Sequence, residues 1–574
     1  MKLLFKYLAT MKWFIALNLT VKIAATLVEL LIPYVLGHIL DNVVPTRSVK
    51  AIVLWGVSMI LFSVCACVGN IVANRMASRV ARNATEKVRN SLFERITHLS
   101  SAPIDKFTIP SLESRLTSDT YHVHHFIGMS MRMGVRAPIL LLGGTIITLT
   151  LDPILTLVMV SVLPFLWGTV YLITRRGIPL FKQSQRSVDG MIRVVREDSQ
   201  GIRVIKALSK VDYERRRYDV ANKKLVEDEK RASTNMSLSN PLVTMFLHMG
   251  LVAVIVVGAY LVNGNNSRAG TIIAFVQYFT MISNAMIGIT RIFVNATKGT
   301  ASMHRIAEVI NTEPDLETVS EEIYPRQNTS AAVKFDRVSF SYLGVRDDLQ
   351  DISFELKKGQ SLGMIGATGS GKTTVTQLLM RLYDVREGGV YINGRDVRTI
   401  PHDELNSGFG IVMQNDFIYA GSIRDNIDFG RGLTDEQIMT AARIAQAAEF
   451  IEGFDDGLDH HLNSKGTNLS GGQRQRLLIS RAIAGSPEIL VLDDSSSALD
   501  YKTDAALRKA IREELSDVTS IIVAQRVSSI MHCDLILVLD GGRIVGRGTH
   551  EELMEGCDIY REISESQIGG AFVD

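Results

Sequence analysis

Gly366-Ala367-Thr368-Gly369-Ser370-Gly371-Lys372-Thr373-Thr374 lies between an apolar run, Ser361 to Ile365, and a second stretch, Val375 to Tyr383. The run reads as a short buried strand and the stretch after the glycines as a helix. Glycines at such a junction let the backbone curl so that several N–H groups face one anion. The helix N-terminus adds partial positive charge at the same place. A lysine and a hydroxyl residue opening the helix complete the pattern of a nucleotide phosphate-binding loop. On this reading Lys372 reaches the β- and γ-phosphates of a nucleotide, and the Thr373 hydroxyl takes a place on Mg²⁺. Gly366, Thr368, Gly369, Ser370, Gly371 and Thr374 form the rest of the cradle.

Around this loop the chain is strand-rich. Val333 to Phe340 alternates apolar and polar residues, and Gly388 to Ile392, Leu490 to Leu492, Ile521 to Val523 and Leu535 to Leu539 read as further strands. Strands alternating with helices predict an α/β domain on a largely parallel sheet, spanning 333–574. Leu490-Val491-Leu492 ends in Asp493-Asp494, and a carboxylate ending a strand downstream of a phosphate loop suits Mg²⁺. Asn468-Leu469-Ser470-Gly471-Gly472-Gln473 feeds a helix, and a serine with two glycines there makes a second phosphate-binding turn. One nucleotide does not easily occupy two such sites in one domain. The natural use is across a dimer, with Ser470, Gly471, Gly472 and Gln473 closing over a nucleotide held elsewhere.

Towards the N-terminus the character changes. Six apolar stretches, about 13–40, 51–74, 126–150, 153–174, 240–263 and 270–294, are each long enough to cross ~30 Å of hydrocarbon. The loops 41–50, 151–152 and 264–269 are short. The loops 75–125 and 175–239 are long and rich in Lys and Arg, which puts them and both termini in the cytoplasm. Apolar spacing within them predicts helices that continue the spans. Pro110 with Ser111 to Asp119 marks one reversal of direction, and Ser209 to Tyr213 the other. Lys2, Lys6 and Lys12 among Leu and aromatic residues predict a short interfacial helix. Residues 313–332 read as a linker after a membrane domain at 1–312.

Lys22 and Glu29 share a helix face inside the first span, and Arg132 and Arg136 share one in the third. Charges at that depth face a bundle interior or water. Lys22 and Glu29 either pair with neighbours to hold packing or serve function; the arginines reach for headgroups by snorkelling. Met245, Phe246, Met249, Phe275, Tyr278, Met281, Met286 and Phe293 suit an adaptable apolar pocket, or ordinary core and lipid-facing packing.

The bulk composition fits this division. The 574 residues are 46% hydrophobic, yet carry 62 basic and 60 acidic side chains. Mean hydropathy is nevertheless positive, as expected of one membranous and one soluble part. A net charge of +2 gives no argument for nucleic acid, and four cysteines make no disulfide framework.

On the loop at Gly366 to Thr373, the LSGGQ stretch at Leu469 to Gln473, Gln414 in Val412-Met413-Gln414-Asn415, and Ser497-Ala498-Leu499-Asp500, the second half resembles the nucleotide-binding domain of an ABC transporter. The first half is similar to the six-span domain of exporters in that superfamily, through Ser114 to Asp119 and Gly201 to Ala207. The resemblance implies that Tyr342 stacks on adenine, that Gln414 joins Thr373 and Asp493 around Mg²⁺, and that Asp500 is donated with the LSGGQ residues to a partner's site. It also implies ATP-driven export of amphipathic compounds through a bacterial cytoplasmic membrane by a dimer of half-transporters.

Two positions depart from the family. Asp494 stands where a general-base Glu is usual, and Gln525 where a switch His is usual; the acidic residue common before the signature is also missing from His461 to Gly466. The pattern resembles the degenerate-site subunit of a heterodimeric multidrug exporter. A working homodimer that has drifted, and an ATP-switched regulator or channel on the same scaffold, are the rival readings.

Overall fold

The computed structural model describes residues 1–264, 267–342, 344–495 and 497–569. Residues 265–266 of the short loop expected at 264–269, and 570–574 of the expected 333–574 domain, lie outside the described residues. The chain forms two compact units, residues 1–97 with 110–311 and residues 98–109 with 312–574.

The first unit is helical. In order come α1 (Lys2–Ala9), α2 (Lys12–His38), α3 (Val49–Thr97), α4 (Ser101–Phe107), α5 (Ile109–Ser114), α6 (Thr120–Leu151), α7 (Pro153–Gln200), α8 (Ile202–Ala207), α9 (Val211–Ser237), α10 (Ser239–Asn263) and α11 (Ala269–Ile310). Of these, α4 belongs to the second unit. Among the described residues, six segments are long and apolar enough to span a membrane: Lys12–Thr46, Val49–Thr97, Ile109–Leu151, Pro153–Gln200, Val211–Asn263 and Ala269–Ile310. A crossing needs about 20 residues. With 49 residues in α3 and 48 in α7, these helices run on well past that length as polar extensions. The bundle core gathers Leu30, Leu140, Leu155, Met159, Phe275, Tyr278, Phe279 and Ile282.

Three expectations for this unit change, and one open alternative is resolved. The first reversal is not at 110–119: it falls at 98–109, around α4, and Thr108 adopts φ 64° at its end. The polar residues from Ser111 to Asp119 are already helical, because their polarity serves internal pairing. Arg115 Nη1 lies 3.0 Å from Glu308 Oε2, and Arg305 Nε donates to Asp119 Oδ2 at 2.8 Å. The second reversal spans Gly201 to Lys210, with Ser209 at φ 52°, so Val211 to Tyr213 already belong to α9. For Tyr278 the core alternative holds: it is fully buried, and its hydroxyl donates to Leu30 O at 2.6 Å. Nor do the arginines of α6 simply reach outward. Arg136 donates to Glu29 Oε2 from Nε at 3.2 Å, and Arg132 Nη1 donates to Ser78 Oγ at 3.2 Å.

The second unit holds twelve described strands: β1 (Ala331–Phe340), β2 (Leu349–Lys357), β3 (Ser361–Gly366), β4 (Glu387–Ile392), β5 (Arg395–Asp396), β6 (Phe409–Val412), β7 (Gly421–Ser422), β8 (His461–Leu462), β9 (Ile489–Asp493), β10 (Thr519–Val523), β11 (Leu535–Asp540) and β12 (Arg543–Gly548). An antiparallel sheet runs β2-β1-β4-β5, a six-stranded sheet runs β12-β11-β3-β10-β9-β6, and β7 pairs with β8. In the larger sheet only β12 is antiparallel. Parallel strands buried on both faces read as continuous apolar runs, which is the pattern of Ile489 to Leu492. Pairing in register sets Val523 beside both Met364 and Asp493, so β3, β9 and β10 end together. Residues 313–332 pack on this unit: Glu317 O accepts from Arg381 Nη2 at 2.8 Å, and the Tyr324 ring lies 3.8 Å from the Arg398 guanidinium carbon.

Candidate functional site

The common end of β3, β9 and β10 opens into a cavity of about 910 Å³. Ligands of open α/β sheets bind at this edge, beyond the carboxyl ends of the strands. Tyr342, Gly366, Thr368, Gly369, Gly371, Lys372, Thr373, Thr374, Gln414, Asp493, Asp494 and Gln525 all line it. Ser370 lies beneath them, 3% exposed.

Gly366 must be glycine. Its φ is 152°, and a Cβ there would lie 2.0 Å from Leu539 O. At Gly369, φ 81°, a Cβ would meet no atom within 4 Å, so the loop leaves open space where an anion can approach the backbone. The helix Lys372–Leu379 begins at Gly371 with no side chain capping its first N–H groups. Lys372 Nζ donates to Gly366 O at 2.9 Å, Ala367 O at 2.8 Å and Ser370 Oγ at 3.2 Å. Burial pushes the Lys372 pKa down, against the pull of Asp493 and Asp494. Burial pushes the Asp493 carboxyl up, and a hydrogen bond from Thr373 opposes that rise. A hydroxyl touching a buried carboxylate beside a free helix N-terminus suits a hard cation that also takes phosphate oxygens.

Asp494 sits at φ 52°, in the left-handed region. Its Oδ2 accepts a hydrogen bond from Gln525 Nε2 at 2.9 Å. Burial is also the main influence raising the Asp494 pKa, with that hydrogen bond opposing it. Tyr342 is half-exposed; its hydroxyl donates to Thr374 Oγ1 at 3.2 Å, and its ring stands edge-on to Tyr383 at 5.1 Å.

Ser470, Gly471, Gly472, Gln473 and Asp500 do not line this cavity. Ser470 caps the helix Gly471–Ala484: its Oγ accepts from Gln473 N, and Gln473 Oε1 accepts from Ser470 N. Asp500 caps the helix Tyr501–Glu514, accepting from Thr503 N at 2.9 Å. Hydrogen bonds from Thr503 hold its carboxyl below the usual range. The two caps are joined by Gln475, whose Nε2 donates to Ser497 Oγ at 3.0 Å and whose Oε1 accepts from Ala498 N at 2.9 Å.

The contacts of Tyr383, Asp348 and Gln567 had no sequence signal; those of Tyr383 and Gln567 join positions far apart in the chain, and that of Asp348 closes a local turn. Tyr383 donates to Asp105 Oδ2 at 2.6 Å, which links α4 to the aromatic pair beside the cavity. Asp348 Oδ2 accepts from Tyr342 N at 2.9 Å. In the C-terminal helix, Gln567 Oε1 accepts from Val527 N and its Nε2 donates to Gln525 O, both at 2.8 Å, clasping the backbone that carries Gln525.

Comparison with known proteins agrees with both units. Residues 15–286 match the ABC transporter transmembrane region, and residues 349–497 match the ABC transporter domain. An uncharacterized ABC transporter ATP-binding protein of Mycobacterium tuberculosis (strain CDC 1551 / Oshkosh) is 33% identical over 97% of this chain and 97% of its own. The chain belongs to the ABC transporter family. The uncharacterized ABC transporter ATP-binding protein YfiB of Bacillus subtilis (strain 168) is 32% identical over 94% of each chain. A bacterial Atm1-family ABC exporter solved with ATP bound shares the fold, with a TM-score of 0.79 and 23% identity over 98% of both chains. This ABC transporter chain is therefore a multi-pass half-transporter, with one membrane region followed by one ATP-binding domain. Half-transporters of this family work as dimers.

Proposed function

We propose that the protein is one subunit of a heterodimeric exporter that uses ATP to move amphipathic or hydrophobic compounds out across a bacterial cytoplasmic membrane, with both termini in the cytoplasm. The cavity at the sheet edge is read as the nucleotide site. Tyr342 stacks on the base, and the loop Gly366 to Thr374 holds the phosphates through N–H groups and Lys372. Thr373, Asp493 and Gln414 would hold Mg²⁺, which neutralises charge on the phosphates. Ser470 to Gln473 and Asp500 belong to the second site, completed by a different chain with an intact general-base Glu and switch His.

The observation that carries the asymmetric reading is the hydrogen bond from Gln525 to Asp494. Both family departures meet in that one contact. A general base must come within about 2.6–3.2 Å of the proton it takes, directly or through a water. Asp494 is one methylene short of Glu, and the neutral Gln525 amide already occupies one of its oxygens. Gln525 has no ring nitrogen to become a cation beside the γ-phosphate. Both changes spare binding and weaken hydrolysis.

Co-purification of the native complex tests the reading directly, by the identity of any second chain. The general-base positions are then changed separately in that complex. Replacing the partner's Glu by Gln is expected nearly to abolish turnover, whereas Asp494→Asn leaves most of it. A crippling Asp494→Asn, or full turnover by this chain as a homodimer, overturns it.

A further inference from the structure

Ile71, Asn74, Arg75, Ser78 and Arg79, all on one face of α3, line a wide-open surface cavity of about 590 Å³. Spacings of three and four put these residues in one row on the helix. Neighbouring helices bring two more cations to it. Lys22 of α2 is 3% exposed, and its Nζ donates to Asn70 Oδ1 at 2.7 Å and Asn74 Oδ1 at 3.2 Å. Arg132 of α6 donates to Ser78 Oγ, which lines the same cavity.

The row is short of negative charge. Among the described residues, Lys22, Arg75, Arg79 and Arg132 have no carboxylate within ion-pair distance, and the partners of Lys22 and Arg132 are a neutral amide pair and a hydroxyl. Glu29 does not fill the gap, because both its oxygens are taken by Arg136, at 3.2 and 2.5 Å. Lys22 is buried, where a cation is costly without a counter-charge. Arg75 and Arg79 are exposed, so an anion can reach them from outside. Ile71 at one end of the row continues into the apolar part of α3, so a charged region and an apolar one adjoin on one helix face.

We infer that this row is the polar pole of the substrate site, and that the exported amphiphile is anionic: a carboxylate or phosphate ester joined to an apolar body. The inference rests on the export reading and adds the sign of the head group to it. The same chemistry is offered by a soluble amphiphile and by an anionic lipid of the bilayer.

The test uses the native complex in phosphatidylcholine nanodiscs and reads the half-maximal concentration for stimulating ATPase activity. Dodecyl phosphate is compared with dodecyltrimethylammonium, which has the same tail. A second set of discs contains phosphatidylglycerol. The anionic amphiphile is expected to act at a concentration at least tenfold lower than the cationic one. Arg75→Gln with Arg79→Gln should erase that preference, and Arg75→Lys with Arg79→Lys should keep it. Both arginines are exposed, and unchanged thermal melting of each variant separates lost charge from lost fold. A preference for the anion seen only with phosphatidylglycerol, and lost in the glutamine variants, supports the pole with a lipid head group as its ligand. Equal action of both amphiphiles, a preference for the cation, or a preference that survives the glutamine changes overturns the inference while leaving export intact. Silence of every amphiphile in every disc overturns the export reading itself, and this inference with it.

Discussion

The loop Gly366 to Thr373 and the turn Leu469 to Gln473 are built from the same parts, glycines and a hydroxyl residue at a helix N-terminus, yet they end in different states. The helix after the first loop starts at Gly371 with no side-chain cap, and a lysine stands over it. The helix after the turn starts with a closed capping box in which Ser470 and Gln473 satisfy each other. Free N–H groups and a cation attract phosphate unaided. A capped turn has already used part of that capacity, so it contributes most when a nucleotide held by another domain is brought to it. The difference teaches that a glycine-rich helix start becomes a primary or a secondary anion site according to which donors its own side chains leave free.

The comparison breaks most easily at Lys372. Lys372→Ala removes the cation that the turn lacks, and hydrogen bonds to charged groups are worth about 1.5–3 kcal/mol. ATP affinity of the full-length complex should fall roughly 10- to 150-fold by that figure, read by equilibrium binding. Unchanged affinity would put the phosphates elsewhere. Tyr342→Ala should weaken binding less, by about 1–2 kcal/mol or roughly 5- to 30-fold, since aromatic stacking on a base is the smaller contribution. Tyr342→Phe, which keeps the ring and loses only the hydroxyl's contacts with Thr374 and Gln377, should stay close to the parent.

Ser470→Ala sharpens the comparison from the other side. Losing an N-cap costs about 1 kcal/mol, so the melting temperature should drop by a few degrees. Binding at the loop should be untouched, while turnover of the complex falls because the turn no longer presents an ordered helix start. A loss of ATP affinity equal to that of Lys372→Ala would erase the distinction between the two sites. Asp494→Asn is expected to have the smallest effect, about twofold or less on turnover, because the heterodimer reading gives this carboxylate little of the proton transfer to lose.

What the sequence could express depended on how local the physics was. The phosphate loop is legible because strand, glycines and helix start lie within about twenty consecutive residues. The spans are legible because hydrocarbon demands long apolar runs. The reversal near α4 was misplaced because buried ion pairs and exposed turns draw on the same polar residues, and only three-dimensional neighbours such as Glu308 and Arg305 tell them apart. Pocket and core packing stay open for Tyr278 in the sequence because periodicity says little about facing in a helix that is apolar on all sides. The Gln567 clasp on the Gln525 backbone joins positions 42 residues apart through a side chain with no pattern around it, so nothing local announced it.

The contact between Asp494 and Gln525 also ties the two positions to each other. Asp is among the non-glycine residues that adopt left-handed backbone most readily, and Asp494 occupies that conformation. Lengthening it to Glu while Gln525 stays would push a longer carboxylate against the amide that now binds it. Changing Gln525 to His while Asp494 stays would remove the amide donor and leave the carboxylate still short. Each single step back towards the family pattern would lose something that the present pair has, and only the two together would regain what it lacks. The two positions are therefore coupled: the effect of changing either one depends on which residue stands at the other.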